Sequence, residues 1–187
     1  MLVMRYPDGH KEAVRDRIVR AASKALRHHG LEGVSIPALM KEVGLTHGGF
    51  YSHFANRDEL VAEAVRCAGA ATAQGAFSDG LRLEETVGRY LSPGHVEHPE
   101  EGCVVAALGT DGARQPPQVR AAFADVAAGL LRLVEGKVHP RRPSEPPTDE
   151  ALVHAATMVG AVVLSRLVRD PALAGRILSA ARRSISR

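Results

Sequence analysis

The stretch Ser35-Ile36-Pro37-Ala38-Leu39-Met40-Lys41-Glu42-Val43-Gly44-Leu45-Thr46-His47-Gly48-Gly49-Phe50-Tyr51-Ser52-His53-Phe54 contains two helix starts in close succession. Ser35 is a side-chain acceptor in N-cap position, and Pro37 follows in the first turn, where its missing N–H costs nothing. Ile36, Leu39, Met40 and Val43 recur at helical steps until Gly44 closes the element. Thr46 caps again at once, and Phe50 and Phe54, four apart, share one face of a second short helix running from Thr46 to His53 or Phe54. Helices of about two turns do not hold themselves together in water, so longer neighbours must carry them.

Those neighbours are present on both sides. From Lys11 to His29, Val14, Ile18, Ala21, Ala22, Ala25 and Leu26 form an apolar stripe, with Arg15, Arg17, Arg20, Lys24 and Arg27 mostly between them, and Gly30 ends the helix. Asn56 caps another helix that starts at Arg57 and reaches the low seventies. The expected organisation is a flexible tail over 1–10, a three-helix helix-turn-helix unit over 11–66, and a larger helical part over 67–187.

A unit of this kind presents its last short helix. Thr46, Tyr51, Ser52 and His53 can donate to phosphate oxygens or base edges, Gly48 and Gly49 let the backbone approach closely, and a helix N-terminus attracts phosphate. The expected partner is the major groove of double-stranded DNA.

The remaining chain also reads as helices. One is expected over about Leu83 to Leu91, after the breaks at Gly75 and Gly80 and before Ser92-Pro93-Gly94; two more start near Cys103 and near Gln118. Pro140, Pro143, Pro146 and Pro147 mark a polar connection, after which Thr148 caps an apolar helix from Leu152 to Val168 and a final helix runs from Pro171 to Ser184. The fold class is all-α, with about nine helices.

Composition agrees and narrows the function. The 187 residues are 45% hydrophobic but only 4% aromatic, without Trp, so the core is built from Ala, Val and Leu. A net charge of +3 with a pI near 9.1 requires any nucleic-acid footprint to be local. Cys67 and Cys103 fit no disulfide framework or metal spacing. No signal peptide and no 18 uninterrupted apolar residues are visible, which predicts a cytoplasmic protein with no membrane partner. His95, Glu97, His98, Glu100 and Glu101 cluster in a Pro- and Gly-containing stretch without zinc-site spacing and are expected as a solvated polar loop. No phosphate loop, nucleophile elbow or framed carboxylate pair is present, so neither an enzyme nor a cofactor or metal site is expected.

The order Ser35-Ile36-Pro37-Ala38-Leu39, Gly44-Leu45-Thr46, Gly48, Phe50-Tyr51, His53-Phe54, Arg57 and Leu60 resembles the TetR family of repressors over about Lys11 to Val65. The resemblance implies a homodimeric, ligand-responsive regulator that reads a near-palindromic operator and is released by a small-molecule inducer. It implies DNA contacts from Ser35, Ile36, Thr46, His47, Gly48, Tyr51, Ser52 and His53, with Arg57 where the family holds a phosphate, usually with Lys. Gly49 and Ser52 depart from the family's more donor-rich pattern, which leaves fewer side chains to read bases.

The same resemblance implies dimerisation through the last two helices, about 148–185, and an inducer pocket among the middle helices, for which Phe77, Leu108, Phe123, Val126 and Met158 are candidate lining. Gly102-Cys103 resembles a branch of the family that includes electrophile-responsive repressors, making Cys103 a candidate thiol with Arg166 as the cation to look for beside it. The alternatives are that thiol-sensing repressor and a helical protein-interaction module, the latter separable by its salt dependence.

Overall fold

The computed structural model describes residues 9–186, so most of the expected tail over 1–10 lies outside the described residues. Nine α-helices and one 3-10 helix are present among them, and no strand: α1 (His10–His29), α2 (Ile36–Glu42), the 3-10 helix (His47–Ser52), α3 (Arg57–Gln74), α4 (Leu83–Tyr90), α5 (Pro93–Glu97), α6 (Val104–Gly112), α7 (Pro117–Val138), α8 (Asp149–Leu167) and α9 (Pro171–Ile185). The capping residues work as the sequence predicts. Ser35 Oγ accepts from Ala38 N at 3.3 Å, Asn56 Oδ1 from Glu59 N at 2.9 Å and Thr148 Oγ1 from Ala151 N at 3.4 Å. Gly30 and Gly44 take φ of 82° and 74°, the left-handed region that an L side chain resists.

Two elements differ from expectation. The presented helix is 3-10 rather than α, because two glycines disfavour the α form and i→i+3 bonding satisfies a single tight turn under Thr46. Residues around His95 form helix α5 instead of a solvated loop: Ser92 Oγ accepts from His95 N at 3.2 Å and Pro93 occupies the first turn.

Two apolar cores share the bundle. The first joins Ile18, Leu26, Leu39, Met40, Phe50, Phe54, Leu60 and Val65 to Val104, Leu108, Val119 and Phe123. The second gathers Phe77, Tyr90, Leu91, Leu130, Met158, Val162, Leu178 and Ile185. Helix α3 runs through residue 66, so the unit expected over 11–66 and the remainder have a helix in common, and α3 packs along α7. At their crossing, a Cβ on Gly69 would lie 2.9 Å from the Val126 methyls; glycine permits this close approach.

Arg15 ties α1 to α3. It pairs with Glu59 at 2.7 Å and with Glu63, donates to the His53 carbonyl at 3.2 Å, and lies 4.4 Å above the Phe54 ring. The proline-rich connection between α7 and α8 is fastened at its far end. The Glu135 carboxylate accepts from Ser144 N at 2.8 Å, Thr148 N at 3.0 Å and Thr148 Oγ1 at 2.8 Å, and these bonds lower its pKa to about 2.

Helix α8 buries Ala151, Ala155, Met158, Ala161 and Val162 in the second core and exposes Val153, Leu164 and Leu167. By length and composition alone it is apolar enough to cross a membrane, although His154, Thr157 and Ser165 punctuate the apolar run.

Candidate nucleic-acid interface and effector pockets

The 3-10 helix is held from beneath and left open above. Phe50 and Phe54 are buried and stack with centroids 5.4 Å apart, while Tyr51 meets Phe50 edge-on at 5.2 Å yet remains 66% exposed. Thr46 Oγ1 accepts from Gly49 N at 3.2 Å, and Ser52 Oγ donates to Gly49 O at 2.7 Å. These bonds fix the turn through two exposed hydroxyls. Outside its chain neighbours and the helix's own backbone, no heavy atom lies within 4 Å of the place a Gly48 Cβ would take, so bare backbone is open to close approach there.

Ser35, Thr46, His47, Gly48, Tyr51 and Ser52 are exposed. Ile36, His53 and Arg57 are half-buried and otherwise engaged. Ile36 packs against the first core. Arg57 donates to the Leu31 carbonyl. His53 faces α1, where desolvation first, then the charges of Lys11 and Arg15, push its pKa down and favour the neutral ring. Lys11 is itself exposed, and a reading that treats the cations of α1 as a solvated face passes over it. Its first-turn position in α1 and its field at His53 place a positive charge beside the presented helix.

Two pockets meet at Thr72 and Cys103. One, of about 270 Å³, lies among the end of α3, α4, α5 and the start of α6, with Ala71, Gly75, Ala76, Tyr90 and His95 in its walls and Arg89, His98 and Glu101 around them. The other, of about 480 Å³, opens between α3 and α7, walled by Gly69, Ala70, Ala73, Val126, Gly129, Leu130 and Leu133. At its edge Arg66 pairs with Asp125 at 3.3 Å. Of the residues expected at the ligand from sequence, Cys103 serves both pockets and Val126 serves one; Arg166 lies outside both linings, as do the apolar Phe77, Leu108, Phe123 and Met158. Those large side chains are at most 7% exposed and are consumed by the cores. Small residues leave the space that a ligand can enter.

A hydrogen-bonded line joins these pockets to α1. Arg27, 6% exposed, donates to Ser23 O at 3.0 Å, Ser23 Oγ at 3.3 Å and the carbonyl of Gly102. The next N–H, Cys103 N, donates to His95 Nε2 at 2.9 Å, so His95 Nδ1 carries the proton and donates to the Tyr90 carbonyl at 2.6 Å. Burial lowers the His95 pKa to about 4, in keeping with this neutral tautomer. Arg166 closes the line by donating to His95 O at 2.6 Å and Val96 O at 3.3 Å. Arg166 Nη2 thus lies 3.2 Å from where a Gly102 Cβ would be, and the next residue, Cys103, is 3% exposed. Among the described residues no group of three His, Cys, Asp or Glu side chains could hold a metal ion.

Residues 18–64 match the family described as bacterial regulatory proteins, tetR family. No characterised protein sequence matches the chain significantly. Among solved structures, the reduced form of NemR from E. coli aligns with a TM-score of 0.73 at 16% identity, covering 92% of this chain and 95% of that one. A TetR transcriptional regulator from Chloroflexus aurantiacus J-10-FL aligns with a TM-score of 0.72 at 22% identity, covering 95% and 96%. AibR in complex with isovaleryl coenzyme A and operator DNA aligns with a TM-score of 0.64 at 15% identity, covering 92% and 97%. The chain thus carries a segment over residues 18–64 that matches the tetR-family model, within a whole-chain fold similar to that of these regulators.

Proposed function

We propose that the protein is a homodimeric, ligand-responsive repressor without enzymatic activity, which binds a near-palindromic operator and is released by a small-molecule inducer. The DNA-reading unit is residues 11–66 and the regulatory, dimerising part is 67–187. The observation that carries this reading is the Thr46-capped 3-10 helix, packed underneath on Phe50 and Phe54 and exposing His47, Gly48, Tyr51 and Ser52. Ser35, Thr46, His47, Tyr51 and Ser52 meet DNA directly; Ile36 sets the approach of α2, and His53 and Arg57 reach the backbone once their present engagements loosen.

Exposed Val153, Leu164 and Leu167 on α8 and Leu173 on α9 support dimerisation through the last two helices. Inducer relief follows if the pockets bind ligand more tightly in the DNA-free arrangement of the two recognition helices. AibR, crystallised with both isovaleryl coenzyme A and operator DNA, supports the pairing of the two activities in one chain of this fold. The burial of Cys103 argues against a thiol-sensing version of the same reading.

Selection of bound sequences from random duplex DNA tests the proposal. A two-fold symmetric consensus is expected, bound with an affinity that falls steeply with salt. Recovery of no preferred sequence, or salt-independent binding, overturns it.

A further inference from the structure

Two guanidinium groups lie around Gly102-Cys103 with no carboxylate bonded to either, that of Arg27 buried and that of Arg166 half-buried. Arg27 has only the carbonyls of Ser23 and Gly102 and the Ser23 hydroxyl as acceptors. Arg166 has only the carbonyls of His95 and Val96, and its Nη1 is buried with no hydrogen-bond partner. Beside them the Tyr90 hydroxyl is also buried without a conventional partner. Its neighbour is the Cys103 thiol, a weak one at best, and it lies within the field of Arg166. Unmatched buried positive charge and orphaned donors are both costly. Glu100 is already shared between His28 and His98 at 3.3 Å each, and Glu101 pairs with Lys24 at 3.8 Å on the outside. These carboxylates reach the two arginines only through space and bond to neither.

The space around this cluster is amphipathic. Tyr90, His95, Gly102 and Cys103 wall the smaller pocket, and Thr72 and Cys103 are common to it and the apolar pocket between α3 and α7. Resting on the effector reading above, we infer that the pockets take an organic anion, whose carboxylate is received by Tyr90 in the wall of the smaller one and by Arg166, which lines neither pocket and turns in past Gly102 to meet it, and whose apolar body lies along α3 towards α7. The anion supplies the bonded counter-charge that the two arginines lack, and its hydrogen bonds satisfy the orphaned donors. Because Arg27 of α1 holds the carbonyl of Gly102, charge arriving on the pocket side of that peptide alters a contact of the DNA-reading unit directly.

The test is calorimetric titration of the full chain, without DNA, with butyrate, octanoate and benzoate, each against its uncharged alcohol and its amine. At least one acid is expected to bind saturably and about tenfold or more tighter than its matched alcohol. Tyr90→Phe, which removes only the hydroxyl, is expected to weaken the acid several-fold and leave the alcohol unchanged; Arg166→Lys is expected to weaken the acid more. Binding by none of the acids, equal binding of acids and alcohols, or a Tyr90→Phe variant that binds the acid normally overturns the inference. Operator release is measured separately by band shift. An acid that binds without releasing DNA leaves the anion site standing and counts against the inducible repressor, and loss of all DNA binding does not touch the calorimetric result.

Discussion

Glycine does opposite work at the two ends of the molecule. Gly48 in the presented helix has empty space where its Cβ would be, whereas a Cβ on Gly102 at the start of α6 would meet the His95 ring at 2.3 Å and Arg166 at 3.2 Å. The first glycine keeps a surface bare. The second is demanded by side chains already in place. An absent side chain is thus an open space at the surface in one region and a packing requirement in the other, and the two regions respond to mutation in different ways.

The largest effect is expected beneath that open surface. Phe50→Ala removes the ring on which Phe54 and Tyr51 rest and should cost about 3–5 kcal/mol in urea unfolding. A loss below about 1 kcal/mol would show that the presented helix is held by its caps instead. Next comes pH at the crowded end. Folded His95 stays neutral down to about pH 4. An unfolded histidine takes its proton near about 6.5, so the unfolded chain binds more protons between these values and stability falls as pH drops through that window. The loss is up to about 3 kcal/mol, read as the difference in pH dependence between the wild type and His95→Gln.

Gly102→Ala forces His95 or Arg166 aside and should destabilise by about 1–3 kcal/mol. Tolerance of that methyl would mean the lock around Cys103 is loose. The smallest effect, and the one of opposite sign, is Gly48→Ala. It should stabilise the free protein by about 0.5–1 kcal/mol, because its backbone needs no positive φ, while weakening operator binding in a band shift. If both stability and affinity rise, the close approach at Gly48 is not part of DNA recognition.

Local chemistry explains what could be read in advance. Ser35, Thr46, Asn56 and Thr148 cap helices through bonds spanning three residues, and Phe50 and Phe54 reveal their buried face by spacing alone, so the DNA-reading unit was legible. The pockets were not. Their walls are Gly69, Ala70, Ala73 and Gly129, residues that announce nothing in a sequence, while the bulky candidates Phe77, Leu108, Phe123 and Met158 went to the cores. The inward turn of His53 and the bond from Arg57 to the Leu31 carbonyl depend on contacts across the fold, which spacing does not encode. Helix α5 was hidden by its own start signal, since Ser92-Pro93-Gly94 serves equally as a chain break and as a cap.

Helix α3 gives the molecule a lever. Its 18 residues extend about 27 Å at about 1.5 Å each, from Arg57, bonded to the Leu31 carbonyl, past the pocket wall at Thr72 to Gln74. Gly69 presses against Val126 near the pocket end, which makes that crossing the fulcrum. From there to Arg57 is about 18 Å, so a tilt of about 6° moves the long arm by about 2 Å while the short arm, at Thr72, moves by only about 0.5 Å. A push on the α3 wall at the short arm is thereby traded for a smaller force acting over a larger displacement at the far end.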